Sequence, residues 1–107
     1  MPCAEETGGW LGEIDKAGPR NDFNYGVYLG KRYKNFPNII WISGNDFGTW
    51  RNSVDDTNVQ AIAKGIKSVD TRPIQTVELN YQVSSSLDGR SWAPVIKLND
   101  AYTYYPT

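Results

Sequence analysis

The sequence has no histidine and only one cysteine, Cys3, among its 107 residues. Without histidine the segment has no Ser-His-Asp site, no Cys-His site and none of the usual zinc sites. A single cysteine makes neither an internal disulfide nor a thiolate metal cluster. We therefore expect no metal and no other cofactor here, and chemistry that relies on carboxylates, amides, hydroxyls and aromatic rings.

An excess of charge and a long apolar run are also absent. The 11 basic and 12 acidic residues give a formal net charge of -1, and the basic residues are scattered. The electrostatic field that collects polyanions is therefore missing, and nucleic acid is not an expected partner. No stretch approaches the roughly 18 apolar residues of a membrane span. Residues 1–6 have neither the positively charged n-region nor the apolar h-region of a secretory signal peptide. The compartment stays open, because an export signal further upstream is compatible with this sequence.

The remaining composition is that of a folded core. Hydrophobic residues make up 39% of the chain and aromatic residues 13%. These values are typical of globular domains rather than of disordered segments.

The stretch 36–46 is the most informative part of the chain. Its middle, residues 39–42, is a continuous apolar run, which predicts a strand buried on both faces of a parallel sheet. Gly44, Asn45 and Asp46 follow, at the carboxyl end where α/β sheets and barrels place their chemistry. The pattern alone leaves two interpretations open, in which Asp46 is a site carboxylate or simply caps the next segment.

The first part of the chain is predicted to be a loop followed by a helix. Residues 1–22 are rich in glycine, charge and turn formers, which favours a loop region. Asp22 is a plausible N-cap for a helix over residues 23–35. Gly26 and Gly30 lie four apart on this helix and are expected to allow close helix-to-sheet packing.

A second helix is predicted after residue 52. Ser53 and Asp56 have the spacing of a capping box. The apolar residues that follow recur at i, i+3, i+4 and i+7, namely Val59, Ile62, Ala63 and Ile66. Pro73 disfavours helical geometry at Arg72 and ends the helix before it.

Two further strands complete the predicted pattern. Residues 74–79 form one of them, and residues 95–101 begin a third that leads into the tyrosines near the end of the chain. Alternating strands and helices argue for an α/β fold with a parallel sheet. The pattern predicts an α/β segment with about three parallel strands and their helices, in which residues 23–107 form the βα units.

Several residues near predicted strand ends are candidates for binding a substrate. Aromatic rings offer apolar faces to sugars, and carboxylate and amide groups bond to sugar hydroxyls. The substrate-binding candidates are Trp10, Asn45, Trp50, Glu78, Asn80, Tyr102 and Tyr104. Structural alternatives stay open for some of them. Trp10 is also suited to plugging its loop onto the barrel, Tyr102 and Tyr104 to packing the barrel rim, and Glu78 to pairing with a lysine or a backbone amide.

The sequence around residues 25–46 resembles the core of the apiosidase-like glycoside hydrolases, (β/α)8-barrel enzymes often found beside a predicted collagen-binding domain. The resemblance is carried by three groups of residues, the run 25–34, the run 37–42 and Gly44-Asn45-Asp46. Later segments occur in the order expected for the family, at residues 65–66, 70–73, 84–86 and 102–104. The chain is therefore predicted to be an internal fragment around strands four to six, since a complete barrel needs about 250 residues.

The resemblance implies a glycoside hydrolase, secreted or periplasmic, that cleaves a plant or microbial polysaccharide by carboxylate acid/base chemistry. It implies Asp46 as the acid/base at the end of strand four. The partner carboxylate at the end of strand seven would lie beyond Thr107, so the fragment alone is expected to be inactive. The alternative is a barrel that binds carbohydrate without cleaving it. In either case the remaining barrel strands are the expected partner.

The chain departs from the family pattern at two places. Relatives commonly have Gly-Gly-Asp where this chain has Gly44-Asn45-Asp46. Many also have a histidine after the following strand, where this chain has Glu78-Leu79-Asn80-Tyr81. The second departure concerns which sugar is bound more than which reaction is catalysed.

Overall fold

The computed structural model describes residues 9–47, 53–79, 85–88 and 90–100, with the backbone alone at 45–47 and 88. Its elements are α1 (Leu11–Tyr33), β1 (Ile40–Phe47), α2 (Ser53–Val69) and β2 (Ile74–Leu79), followed by two 3-10 turns at Ser86–Asp88 and Arg90–Trp92. Strands β1 and β2 are parallel neighbours, and α2 connects them. The fold is therefore α/β, a segment of a (β/α)8 barrel.

Helix α2 and strand β2 confirm the sequence-based predictions. The predicted apolar stripe of α2 is almost completely buried in the core with Trp41 and Val77. The Asp56 carboxylate of the predicted capping box accepts hydrogen bonds from Ser91 Oγ (3.1 Å) and from Trp92 Nε1 (3.1 Å), and so fastens the fully buried Trp92 to the start of α2.

The predicted loop over residues 1–22 is wrong for residues 11–22, because α1 already begins at Leu11. Asp22 is not an N-cap but lies inside α1, only 4% exposed. The break in α1 occurs at Gly18, whose φ of 83° and ψ of 165° are not helical, and Pro19 follows it. Proline suits the first position of a helix, so Gly18-Pro19 was the signal for the helix start that Asp22 was taken to mark.

Strand β1 is buried on one face, not on both as predicted. Trp41 and Ser43 are buried at 8% and 1% exposure, whereas Ile40 and Ile42 are 54% and 50% exposed. The buried face of the sheet is the one that meets the helices, since Gln75 Nε2 on β2 donates to Ala63 O of α2 (3.0 Å). The exposed face corresponds to the interior of a barrel, which only further strands can cover.

The predicted third strand is not a strand among the described residues 95–100, although this segment lies alongside β2. Lys97 N donates to Gln75 O (2.8 Å), and Thr76 Oγ1 donates to Leu98 O (2.7 Å). Beyond Leu98, the fully buried Ser86 lies between β2 and the segment 95–100. Its Oγ donates to Val77 O (2.6 Å) and accepts from Asp100 N (2.9 Å). Side-chain hydroxyls thus replace the ladder of backbone bonds that would define a strand.

The two helices run side by side in the same direction. Gly26 and Gly65 meet at their contact, and Gly30 lies against Ile66 and Val69. The glycines therefore serve helix-to-helix packing rather than the predicted helix-to-sheet packing. At the far end, Arg72 joins the two helix-to-strand connections, because it pairs with Asp70 (Nε to Oδ1, 2.9 Å) and donates through Nη2 to Lys34 O. The guanidinium of Arg72 holds the pKa of Asp70 below its ordinary value.

We expect Gly65→Ala to destabilise the fold by about 1–3 kcal/mol, the usual cost of overpacking a core. A methyl group at residue 65 would overlap the backbone carbonyl oxygen of Phe23, which cannot turn aside as a side chain can. Gly12→Ala is the matched control, since a methyl group there has nothing within 4 Å. Urea unfolding of the complete polypeptide would check this. Equal unfolding midpoints for the two variants would contradict it.

Candidate active site

The candidate site lies at the carboxyl ends of β1 and β2, where the pairing of the strands becomes irregular. Residues Ile40 to Gly44 pair one by one with Ile74 to Glu78, but the next pair is Phe47 with Leu79. Two residues of β1, Asn45 and Asp46, therefore have no counterpart on β2. The irregularity begins at Gly44, whose φ of 94° favours glycine.

An irregularity of this kind bends a strand and redirects the side chains that follow it, and such features are common next to active sites. Here it coincides with the acidic residue that ends the strand-four motif. The structure describes Asn45 and Asp46 by their backbone alone, so the predicted roles of their side chains stay predictions.

Glu78 is the candidate site residue that the structure places most clearly. Glu78 pairs with Gly44 in the register of the two strands. It therefore lies on the same face of the sheet as Ile40 and Ile42, the face turned away from the helices. The residue is half-buried, at the last position but one of β2. Its location is therefore that of a side chain reaching toward the interior of the barrel near its carboxyl end.

The other predicted binding residues are distributed differently. Trp10 lies directly before α1 and is 58% exposed. Because α1 and α2 run in the same direction and α2 follows the end of β1, Trp10 lies toward the same end of the molecule as Asp46. Four candidates lie outside the described residues, namely Trp50, Asn80, Tyr102 and Tyr104.

Asp100 is a carboxylate that the sequence analysis passed over. Ser86 fixes its backbone on both sides, by accepting from Asp100 N and by donating its own N–H to Asp100 O (2.8 Å). Asp100 thus lies level with Val77, close to the carboxyl end of β2. The sequence pattern does not predict that Asp100 lies beside Val77, because the hydrogen bond that places it there comes from Ser86, 14 residues earlier in the chain.

Nothing in the described part of the chain indicates a metal site or a membrane segment. Among the described residues, no three histidine, cysteine, aspartate or glutamate side chains converge. The helices described there are too short or too polar to span a bilayer.

Comparison with known proteins connects this geometry to a family. The family model described as "Apiosidase-like, catalytic domain" matches residues 3–103. No curated protein sequence matches the chain.

The solved structures that are similar to the chain include two glycoside hydrolases. One is named a glycoside hydrolase, with a TM-score of 0.65 and 30% sequence identity over 76% of this chain. The other is a glycoside hydrolase family 5 protein from Bacteroides vulgatus ATCC 8482, with a TM-score of 0.67 and 24% identity over 80% of this chain. The chain spans only 17% and 18% of the lengths of these two structures.

Proposed function

Because this chain belongs to the apiosidase-like family of catalytic domains, we propose that it is one part of a single glycoside hydrolase barrel that cleaves a plant or microbial polysaccharide. The observation that carries the proposal is the irregular end of β1, where Asn45 and Asp46 stand unmatched beside Glu78. The solved structures support the reaction class, since the more similar of the two in sequence is named a glycoside hydrolase.

In this proposal Asp46 is the general acid/base. Glycoside cleavage uses one carboxylic acid to protonate the departing oxygen and a second carboxylate to attack the sugar or to activate water. The second carboxylate comes from the end of strand seven, in the part of the barrel that this chain does not span. Both groups are needed, so the proposed activity belongs to the complete polypeptide.

Substrate binding is assigned to the residues around the same end of the sheet. Glu78 bonds to sugar hydroxyls from the inner face of β2, and Asn45 orients either the sugar or Asp46. The aromatic residues Trp10, Trp50, Tyr102 and Tyr104 supply stacking surfaces, with Asn80 as a further polar contact.

We expect the complete polypeptide to release sugar from plant or microbial polysaccharides, and the 107-residue chain alone to release none at any concentration. Asp46 can protonate a leaving group, but the partner carboxylate that this proposal requires comes from the end of strand seven, which this chain does not span. Chromatography of the released sugars would check both. Turnover by the 107-residue chain itself would contradict the proposal.

The same assay separates catalysis from binding alone. If the complete polypeptide binds oligosaccharides in calorimetry but releases nothing from any of them, the barrel is a carbohydrate-binding protein. The assignment of Asp46 as an acid would then fail, although the assignment of Glu78 and the aromatic rings to binding would stand.

A further inference from the structure

Helix α1 is made of two helical parts that meet at Gly18, where φ is 83° and ψ is 165°. We call residues 11–17 the N-terminal arm. Pro19 opens the second part of the helix, and proline carries no N–H to continue the hydrogen bonds of the first part. One side-chain bond spans the break, from Asn21 Nδ2 to Ala17 O (2.9 Å). The arm is therefore attached by a joint, not by a continuous helix.

Among the described residues, few contacts hold the arm in place. Ile14 is buried in the core at 6% exposure, and Leu11 packs against that core while partly buried. Asp15 Oδ1 accepts one hydrogen bond from Asn58 Nδ2 of α2 (3.0 Å). Trp10, at the tip, makes no side-chain cap and is 58% exposed. Segments with so few buried contacts open at a lower free energy than the rest of a fold.

A buried acidic residue lies directly beyond the joint. Asp22 is 4% exposed, and within the described residues its Oδ2 has no hydrogen-bond partner. Burial and the negative charge of Asp15 raise the pKa of Asp22 to about 6. An ionised carboxylate that is buried and unpaired is costly, so this arrangement favours the protonated acid.

The helix packed against α1 does not neutralise this pair of acidic residues. Among the described residues, the hydrogen bond from α2 to this pair is that of the neutral Asn58 amide, which donates to Asp15. The first turn of α2 is itself acidic, with Asp55 and Asp56, and the lysine next along that helix, Lys64, is exposed. Among the described residues, Asp15 is the charged group that shifts the pKa of Asp22.

We propose that the N-terminal arm is a flap hinged at Gly18, which rests on α2 while Asp22 carries a proton and is released when Asp22 ionises beside the negative charge of Asp15. Release separates the two charges and admits water to Asp22. The flap carries Trp10 at its tip, toward the end of the molecule where β1 and β2 finish. The position of the flap thus links pH to how accessible the carboxyl ends of β1 and β2 are.

The direction of the effect follows from proton binding. The docked state holds the Asp22 proton up to pH about 6, whereas a solvated aspartate loses it near 3.8. Docking is therefore strongest below pH 3.8, weakens as the pH rises between these values, and is constant above about 6. The full change in the docking equilibrium is about a hundredfold, which is two pKa units.

Hydrogen exchange followed by mass spectrometry tests this on the complete polypeptide between pH 4 and pH 8. After correction for intrinsic exchange rates, we expect the protection of residues 11–17 to fall by up to about a hundredfold, while the protection of α2 stays unchanged. Asp22→Asn should keep the arm protected across the whole range, because the amide has no charge to lose. Glu13→Gln, on the exposed side of the arm, should behave as the unmodified protein does.

Three results would overturn the flap. One is protection of residues 11–17 that does not depend on pH in the unmodified protein, a result that stands even if Asp22→Asn fails to fold. Another is an Asp22→Asn variant with the same pH dependence as its parent. The third is loss of protection in α1 and α2 together, which would indicate global unfolding rather than a hinge at Gly18.

Discussion

Replacing Asp46 with Asn in the complete polypeptide is expected to slow cleavage of natural glycosides by roughly 10²- to 10⁴-fold, the range typical of general acid catalysis. Natural leaving groups are poor and need a proton as the glycosidic bond breaks. An aryl glycoside with an activated leaving group needs little protonation. Its glycosylation step should therefore be slowed much less by the same substitution.

The comparison between the two substrate types is what identifies the role of Asp46. A nucleophile is required whatever the leaving group, so its loss would slow both substrates equally. A binding residue would change KM and leave kcat nearly unaltered. Initial rates over a range of concentrations, with both substrates, would distinguish these outcomes. Equal losses on the two substrates, or a change confined to KM, would refute the assignment.

Glu78→Gln is the matched control for Asp46→Asn. Both substitutions replace a carboxylate by its amide at the end of a neighbouring strand. The proposal assigns Glu78 to sugar binding, so its loss should appear mainly in KM and to a similar degree with both substrates. Comparison of the two variants thus distinguishes the effect of removing a negative charge from the carboxyl end of the sheet from the effect of removing the general acid.

The second large effect concerns the 107-residue chain by itself, which we expect not to form a stable monomer. Among the described residues, β1 pairs with β2 along one edge only. Beside its other edge is a groove of about 530 Å³ lined by Tyr25, Leu29 and Tyr33 of α1 and by residues 39–42. Unpaired edges and exposed apolar faces promote association between chains.

Sedimentation velocity should therefore show species larger than the 12.0 kDa monomer. Near-ultraviolet circular dichroism, which reports on the four tryptophans, should show no sharp melting transition. A monomer with a single cooperative melt would contradict this expectation.

Ile42→Lys tests whether association uses this face. Ile42 is 50% exposed and lines the groove, and a lysine there is the kind of charge that natural proteins use to block edge pairing. We expect this variant to reduce association markedly. Val54→Lys is the control, because Val54 is 57% exposed in the first turn of α2, away from the groove. An equal reduction by both lysines would mean that net charge, not the groove, controls association.

The elements that sequence predicted well are those whose pattern is local. Residues 53–69 repeat apolar residues at helical spacing, and residues 74–79 alternate between two faces, so each pattern specified its own element. Family resemblance was local in the same sense, because it depended on short motifs around residues 25–46. The match to residues 3–103 confirms it.

Tertiary structure alone decided how those elements are buried and joined. The apolar run before Asp46 could not reveal that Ile40 and Ile42 would be exposed, because exposure depends on which strands are present beside them. Likewise, no periodicity marks residues 11–17 as a helix. They are held by Ile14 in the core and by a bond to Asn58, 43 residues away from Asp15.

The site shows the same division. Sequence identified Asp46 and Glu78 as acidic residues near strand ends, although β1 continues to Phe47, beyond the apolar run of residues 39–42 that predicted it. It could not predict the register that leaves Asn45 and Asp46 without a counterpart, because register is a relation between two strands. Nor could it predict the buried acid at Asp22, whose raised pKa results from burial and from the nearness of Asp15 across the break at Gly18. Local pattern determined which residues form each element, and contacts between distant residues determined which charges are buried and which faces stay open.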